Sequence, residues 1–193
     1  SNALRIFDAK VNTDPSDINI YGLALAHEKN NNFDDSLALL DELIKKYPKN
    51  LVINTTKVDI LRSYGKLDEA LLLVNQFLEI SPKNYPLSIS KSKILLEMKE
   101  YFESEEIIRD QLLRKNDDPE LWLLLSEIQR NSKNIIGYHQ SRAEYFLLLG
   151  QNEKALNQLE FALQLTQNNF QVSESIMTKI VEIKKELNES RGL

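Results

Sequence analysis

Two segments of this chain repeat one pattern: NNNFDDSLALLDELIKKYPKN, ending at Asn50, and SYGKLDEALLLVNQFLEISPKN, ending at Asn84. Pro48 and Pro82 are one step of the pattern apart, a step of about 34 residues. Phe33, Leu67 and Tyr101 keep the same step, as do Ser36, Ala70 and Ser104, then Leu40, Val74 and Ile108. A period of this length constrains the fold more than any other feature. One such unit cannot bury its apolar face alone and must stack on copies of itself. Pro15 falls within one residue of a further step back from Pro48, so residues 4–13 are expected to form the closing helix of an earlier unit.

Composition decides what the units are made of. Five Gly and five Pro in 193 residues, with 42% apolar side chains rich in Leu and Ile, point to helices joined by short connections and hence to an all-α chain. Ser36, Ala70 and Ser104 fall near the start of the second helix of each unit, where a small side chain lets a neighbouring helix approach to roughly 8–10 Å. Phe33, Leu67 and Tyr101, three residues earlier, are expected to plug the gap between the paired helices. Asp34, Asp35, Asp68 and Glu69 place negative charge at helix N-termini, where the helix dipole favours it. Pro48 and Pro82 end each pair. Asn31 stands where Gly65 stands, and both tolerate a left-handed turn. In the third unit Lys99 and Asn116 replace the glycine and the proline, and the fourth opens on Pro119 and Trp122.

The phase then changes. A further full step from Ser104 leads to Tyr138, which is not small, whereas the next match, Gly150-Gln-Asn-Glu-Lys-Ala155, ends one and a half steps beyond Ser104. Half a repeat is one helix with its turn. The helix from about Ile135 to Leu149 is therefore expected to serve two units, closing the one begun by Trp122 and opening the one closed by residues 153–166. Helix pairs are expected at about 17–50, 51–84, 85–118, 119–149 and 136–169, all within one solenoid over residues 4–193. A last helix at about 171–190, with Val172, Ile176, Ile180, Ile183 and Leu187 on one face, is expected to cap the stack. As a coiled-coil seam those five residues are too short, so a monomer is expected.

The early aromatic, the inner-turn glycine, the small residue five places later and the closing proline resemble the tetratricopeptide repeat family, with Gly65, Ala70 and Pro82 making the second unit the fullest match. The resemblance implies a right-handed α-α superhelix of helical hairpins whose first helices line a concave groove. The exposed positions of those helices follow the repeat step into stripes: Tyr21, Thr55, Ile89 and Leu123; Leu25, Asp59, Lys93 and Glu127; Glu28, Arg62, Leu96 and Arg130. Apolar anchors bordered by both signs of charge suit a protein or peptide. Tyr21, Leu25, Thr56, Pro86 and Ser90 stand where some relatives carry a cationic clamp for acidic chaperone tails, so no such clamp is expected.

Catalysis has little to stand on. His27-Glu28 begins a zinc-protease motif, but Asn31 occupies the position of the second histidine, and His139 lies far along the chain. His27 is instead expected on the core side, in line with Leu61 and Leu95. There is no cysteine, no Gly-x-Ser-x-Gly elbow and no glycine-rich phosphate loop, so neither cofactor nor metal is expected. The 24 basic and 29 acidic residues are interspersed, giving a formal charge of -5 with no basic stripe for nucleic acid. No apolar run reaches the eighteen or so residues that a membrane-spanning helix needs.

The run Trp122-Leu-Leu-Leu-Ser-Glu, then Tyr138-His-Gln-Ser-Arg-Ala-Glu-Tyr-Phe-Leu-Leu-Leu-Gly150 and Gln-Asn-Glu-Lys-Ala155-Leu-Asn-Gln-Leu, is similar to the tail of bacterial envelope zinc metalloproteases of the β-barrel assembly-enhancing type. Tyr21-Gly-Leu-Ala-Leu-Ala26 also resembles the first repeat of those tails. That likeness implies a periplasmic location, a partner in outer-membrane protein assembly or its clients, and an HExxH protease domain upstream. None of that family's zinc ligands or its catalytic glutamate maps onto this chain. Ser1-Asn2-Ala3 resembles the scar of a removed expression tag, which is consistent with natural sequence upstream.

Overall fold

The computed structural model describes residues 2–166 and 169–191. Among the described residues the chain forms eleven α-helices and no strand. They group into two compact units, Ser1–Met98 and Lys99–Leu193. The first holds α1 (Asn2–Thr13), α2 (Asp17–Glu28), α3 (Phe33–Lys46), α4 (Leu51–Ser63), α5 (Leu67–Ile80) and α6 (Tyr85–Glu97). The second holds α7 (Tyr101–Leu112), α8 (Pro119–Asn131), α9 (Ile135–Leu148), α10 (Asn152–Leu165) and α11 (Phe170–Arg191). Of the expected tag residues, Ser1 lies outside the described chain, and Asn2 and Ala3 begin α1.

Helix starts and turns explain why the repeat persists where the sequence varies. Asn50 Oδ1 accepts the backbone N–H of Val52 at 3.0 Å and of Ile53 at 3.2 Å, Asn84 Oδ1 that of Leu87 at 3.3 Å, and Asp118 Oδ1 that of Glu120 at 2.9 Å. These three caps recur at the repeat step, each satisfying N–H groups left over at a helix N-terminus. Asn169 does the same for Val172 at 3.2 Å, at the head of α11. The inner turns are equally regular: Asn31, Gly65, Lys99, Lys133 and Gly150 all have positive φ, at 58°, 80°, 68°, 64° and 68°. The bond that closes such a turn also recurs, from Asn32 N–H to His27 O at 3.0 Å, Lys66 to Leu61 at 2.9 Å, Asn134 to Gln129 at 2.9 Å and Gln151 to Phe146 at 2.8 Å.

This places the phase change later than the side chains suggest. Lys133 follows Lys99 by one full step and adopts the same turn, so α9 begins in register, and the half-step follows it at Gly150. Gly137, not Tyr138, supplies the close approach. A Cβ there would lie 2.6 Å from Asn134 Nδ2 and 2.9 Å from Gln129 Nε2.

In the first unit α1 packs on α2, where Gly22 makes room for the Phe7 ring: a Cβ would sit 2.2 Å from Phe7 Cε1. Then α2 pairs with α3, α3 packs on α4, α4 pairs with α5, and α6 rests on both α4 and α5. Ala24, Leu40, Val58, Ala70, Val74, Leu87 and Ile94 are wholly buried, the centre of one apolar core. Ser36 is buried too, and its Oγ donates to Ala24 O at 2.7 Å, so the small residue bonds the first helix as well as admitting it. Phe33 packs against the core that α2 and α3 share, and it also reaches the next pair. Its ring stacks on Tyr64, at the end of α4, with centroids 4.9 Å apart, so it seals the junction to the next pair.

In the second unit α7 packs on α8, α8 on α9, α9 on α10 and α10 on α11. Helix α9 therefore has a paired neighbour on each side, as the half-repeat spacing requires. Its role as a first helix has a second signature. The Glu144–Lys179 ion pair joins α9 to α11 across 35 positions, the separation at which Tyr21 bonds Thr56 and Arg62 pairs with Glu97. Gln129, almost fully buried, accepts Ser141 Oγ at 2.7 Å and donates to Glu105 Oε1 at 3.2 Å, tying α8 to α9 and α7. Ile176, Ile180 and Ile183 of α11 are buried, and Val172 and Leu187 pack beside them, so the expected capping face is the one in use. The opposite flank is not wholly polar.

Candidate protein-binding surface

In the first unit the sequence-derived stripes fall on α2, α4 and α6, and most of their side chains are half-buried: Tyr21, Leu25, Thr55, Asp59, Arg62, Ile89 and Leu96, with Lys93 exposed. Several also bond the neighbouring first helix. Tyr21 Oη meets Thr56 Oγ1 at 2.8 Å, Ser90 Oγ donates to Asp59 Oδ1 at 2.9 Å, and Arg62 pairs with Glu97. These contacts fix the rotamers of the stripe, which lowers the ordering cost of binding. Asn54 Oδ1, Thr55 Oγ1 and Arg62 Nε are buried without a hydrogen-bond partner, a cost of about 1–3 kcal/mol for such a group.

Tyr21 also forms one wall of a groove of about 400 Å³ that the stripes do not describe. Ile18, Leu43, Tyr47, Val52 and Ile53 line it, with Asp17 and Asn50 at its edge. Ile18 is 82% exposed and Val52 64%, so two aliphatic side chains that line this one groove are open to solvent. They stand one repeat step apart at the first turns of α2 and α4, so the period carried the signal. The stripes take in later turns alone. At the rim the Asp17 carboxylate accepts Tyr47 Oη at 2.6 Å and Lys46 Nζ at 2.9 Å. The Tyr47 hydroxyl first, and the Lys46 ammonium second, hold the Asp17 pKa below its ordinary value, while the same contacts raise those of Lys46 and Tyr47.

In the second unit Leu123, Glu127 and Arg130 lie on one exposed face of α8. The larger groove here, about 700 Å³, uses none of them. It lies between α7 and α8, lined by Glu106, Arg109, Asp110, Leu112, Leu113, Asn116 and Trp122. Trp122 Nε1 donates to Asn116 O at 2.8 Å, so the early aromatic of this unit is committed to holding the loop that precedes it.

His27 is partly open and not fully buried like Leu61 and Leu95, its Nδ1 lying 3.4 Å from Asn32 Nδ2 and 3.6 Å from Asp35 Oδ2. His139 faces Gln158 Oε1 at 2.9 Å, with the Phe161 ring 5.5 Å away. Among the described residues no three or more His, Cys, Asp or Glu are grouped as a metal would need, and no helix is long and apolar enough to cross a membrane.

A family model described as tetratricopeptide repeat matches residues 61–128. No curated protein matches the chain. Among solved structures, MamA residues 41 to the end from Desulfovibrio magneticus RS-1 is similar with a TM-score of 0.60 at 13% identity, over 96% of this chain and 97% of that one. A tetratricopeptide repeat protein from Parabacteroides merdae gives 0.59 at 13% identity, over 94% and 85%. A thermophilic TPR protein of Thermus thermophilus gives 0.51 at 18% identity, over 92% and 89%. Residues 61–128 thus match the tetratricopeptide repeat family, and the chain as a whole shares the fold of these repeat proteins.

Proposed function

We propose that this chain is a non-catalytic protein-interaction module that takes a polypeptide segment along the first-helix face of α2, α4 and α6. The observation that carries this reading is the groove beside Tyr21, where exposed Ile18 and Val52 flank an aromatic wall already fixed by its bond to Thr56. An apolar side chain of the partner fits between them, and Lys93 supplies charge farther along. Desolvated anchors of this kind provide most of the affinity in protein interfaces, with charged rims setting orientation.

In its finer form the reading makes the chain the partner- or substrate-binding C-terminal region of a periplasmic envelope zinc metalloprotease in outer-membrane protein quality control. The likeness of Trp122 to Leu159 and of Tyr21 to Ala26 to those tails supports it. The alternative is an adaptor or chaperone-like scaffold with no linked protease. Upstream coding sequence separates the two, because only the first requires an HExxH helix. For the surface itself, the test is photocrosslinking in cells from Ile18, Tyr21, Lys93 and Leu123, combined with Tyr21→Ala/Ile89→Ala. The double substitution should weaken capture by about 2 kcal/mol or more while helicity is unchanged. No crosslink from any of these four positions, or capture that the double substitution leaves undiminished, would defeat the reading.

A further inference from the structure

Helix α11 turns one flank to α10 and leaves another open, and the open flank has a regular pattern. Phe170, Glu174, Met177, Val181, Lys184 and Asn188 follow one another at steps of four and three residues, the spacing of a coiled-coil seam. All are exposed, Phe170 at 78%, Met177 at 44% and Val181 at 66%. Met177 stands one full step after Ala143 of α9, which itself matches Val58 of α4 when the turns at Gly150 and Gly65 are aligned, and both of those residues are wholly buried. On the same alignment Glu174 and Val181 fall at Thr55 and Arg62, so the flank joins a packing position of the first helices to their groove-side stripe.

We propose that α11 pairs antiparallel with α11 of a second copy of this chain along this seam. Charge complementarity selects that occupant. The two-fold register that sets Met177 against the second copy's Val181 also sets Glu174 against its Lys184 and Phe170 against its Asn188, twice over by symmetry. A parallel pair would stack Glu174 on Glu174 and Lys184 on Lys184. Lys184 has only a 3.5 Å contact with Glu160, in which both side chains are about half exposed, so it is available for exchange. The sequence leads one to expect a monomer, and this proposal departs from that expectation: Val172, Ile176, Ile180, Ile183 and Leu187, the seam judged too short, pack in the core of the second unit, and the flank is a different set of residues. A single short seam belongs to the small end of protein interfaces, so the dimer is weak and concentration-dependent.

The test is sedimentation equilibrium of the full 193-residue chain from micromolar to millimolar concentration, with helicity checked for every variant. The unmodified chain should approach twice its monomer mass. Glu174→Lys and Lys184→Glu alone should each weaken association about tenfold or more. Mixed together they should associate again, because every facing charge then becomes opposite. A chain that stays monomeric throughout overturns the proposal. So does a dimer that tolerates both single substitutions, or a mixture that stays as weak as its components.

Discussion

The two units solve the same packing problem differently. In the first, α2 and α4 each have their own second helix, α3 and α5, and the contact is opened by Ser36 or Ala70 at the same place in each pair. In the second, α9 packs between α8 and α10 and does both jobs, so it carries small residues on more than one side: Gly137, Ser141 and Ala143 are all buried. The difference teaches that what persists along this chain is the turn-and-cap backbone, not the side chain. The left-handed turn occurs at Asn31, Gly65, Lys99, Lys133 and Gly150, whatever residue stands there.

That comparison can be broken most directly at the small residues. Ala143→Leu should cost about 3 kcal/mol and Ala70→Leu about 1–2 kcal/mol, because α9 has a close neighbour on two sides and less room to relax. Thermal melts measure both, and equal losses would mean that α9 is no tighter than the helices of the first unit. At the turns the effects are smaller and opposite in sign. Gly65→Ala should lose about 1 kcal/mol, since the Cβ is strained at a φ of 80°, whereas Lys133→Gly should gain roughly 0.5 kcal/mol by relieving the same strain. Chemical denaturation that shows both substitutions destabilising would sever the link between the two turns.

The smallest effect concerns a side-chain contact of the first unit. Tyr47→Phe should move the Asp17 pKa upward, read by NMR titration of the carboxyl carbon. The sign follows from linkage. A carboxyl depressed in the folded state contributes stability above the ordinary carboxylate range and loses it as pH falls through the lowered pKa. Lys46 and Tyr47, both raised, keep their contribution until pH climbs through the alkaline range. An Asp17 titration unmoved by the substitution would show that the Tyr47 hydroxyl does not hold it.

Helices, pairs and the shared α9 were legible because prolines, small residues and aromatics recur at fixed steps for packing reasons that leave few alternatives. Lys133 was not, since lysine gives no hint of a left-handed backbone, and with Tyr138 at the expected small position the small residue, Gly137, stands one place off the step. The site was legible in outline only. A stripe drawn at the repeat step identifies which side chains share a face, but whether Asp59 or Arg62 is free depends on Ser90 and Glu97 of the next helix, and those lie off the stripe. Ile18 and Val52 were missed because first-turn positions read as helix starts, although they keep the period and remain exposed.

Helix α9 has a mechanical consequence. In a regular array the joints between pairs are the places where a pull on one end, or a thermal fluctuation, can peel away a terminal pair and leave the rest folded. Because α9 is one rod held between α8 and α10, no such joint divides it, and detaching α10 strips a face from the helix on which α8 also depends. The stretch from α8 to α10 should therefore yield to force as one block, in a single extension event, where an array of separate pairs would give way stepwise.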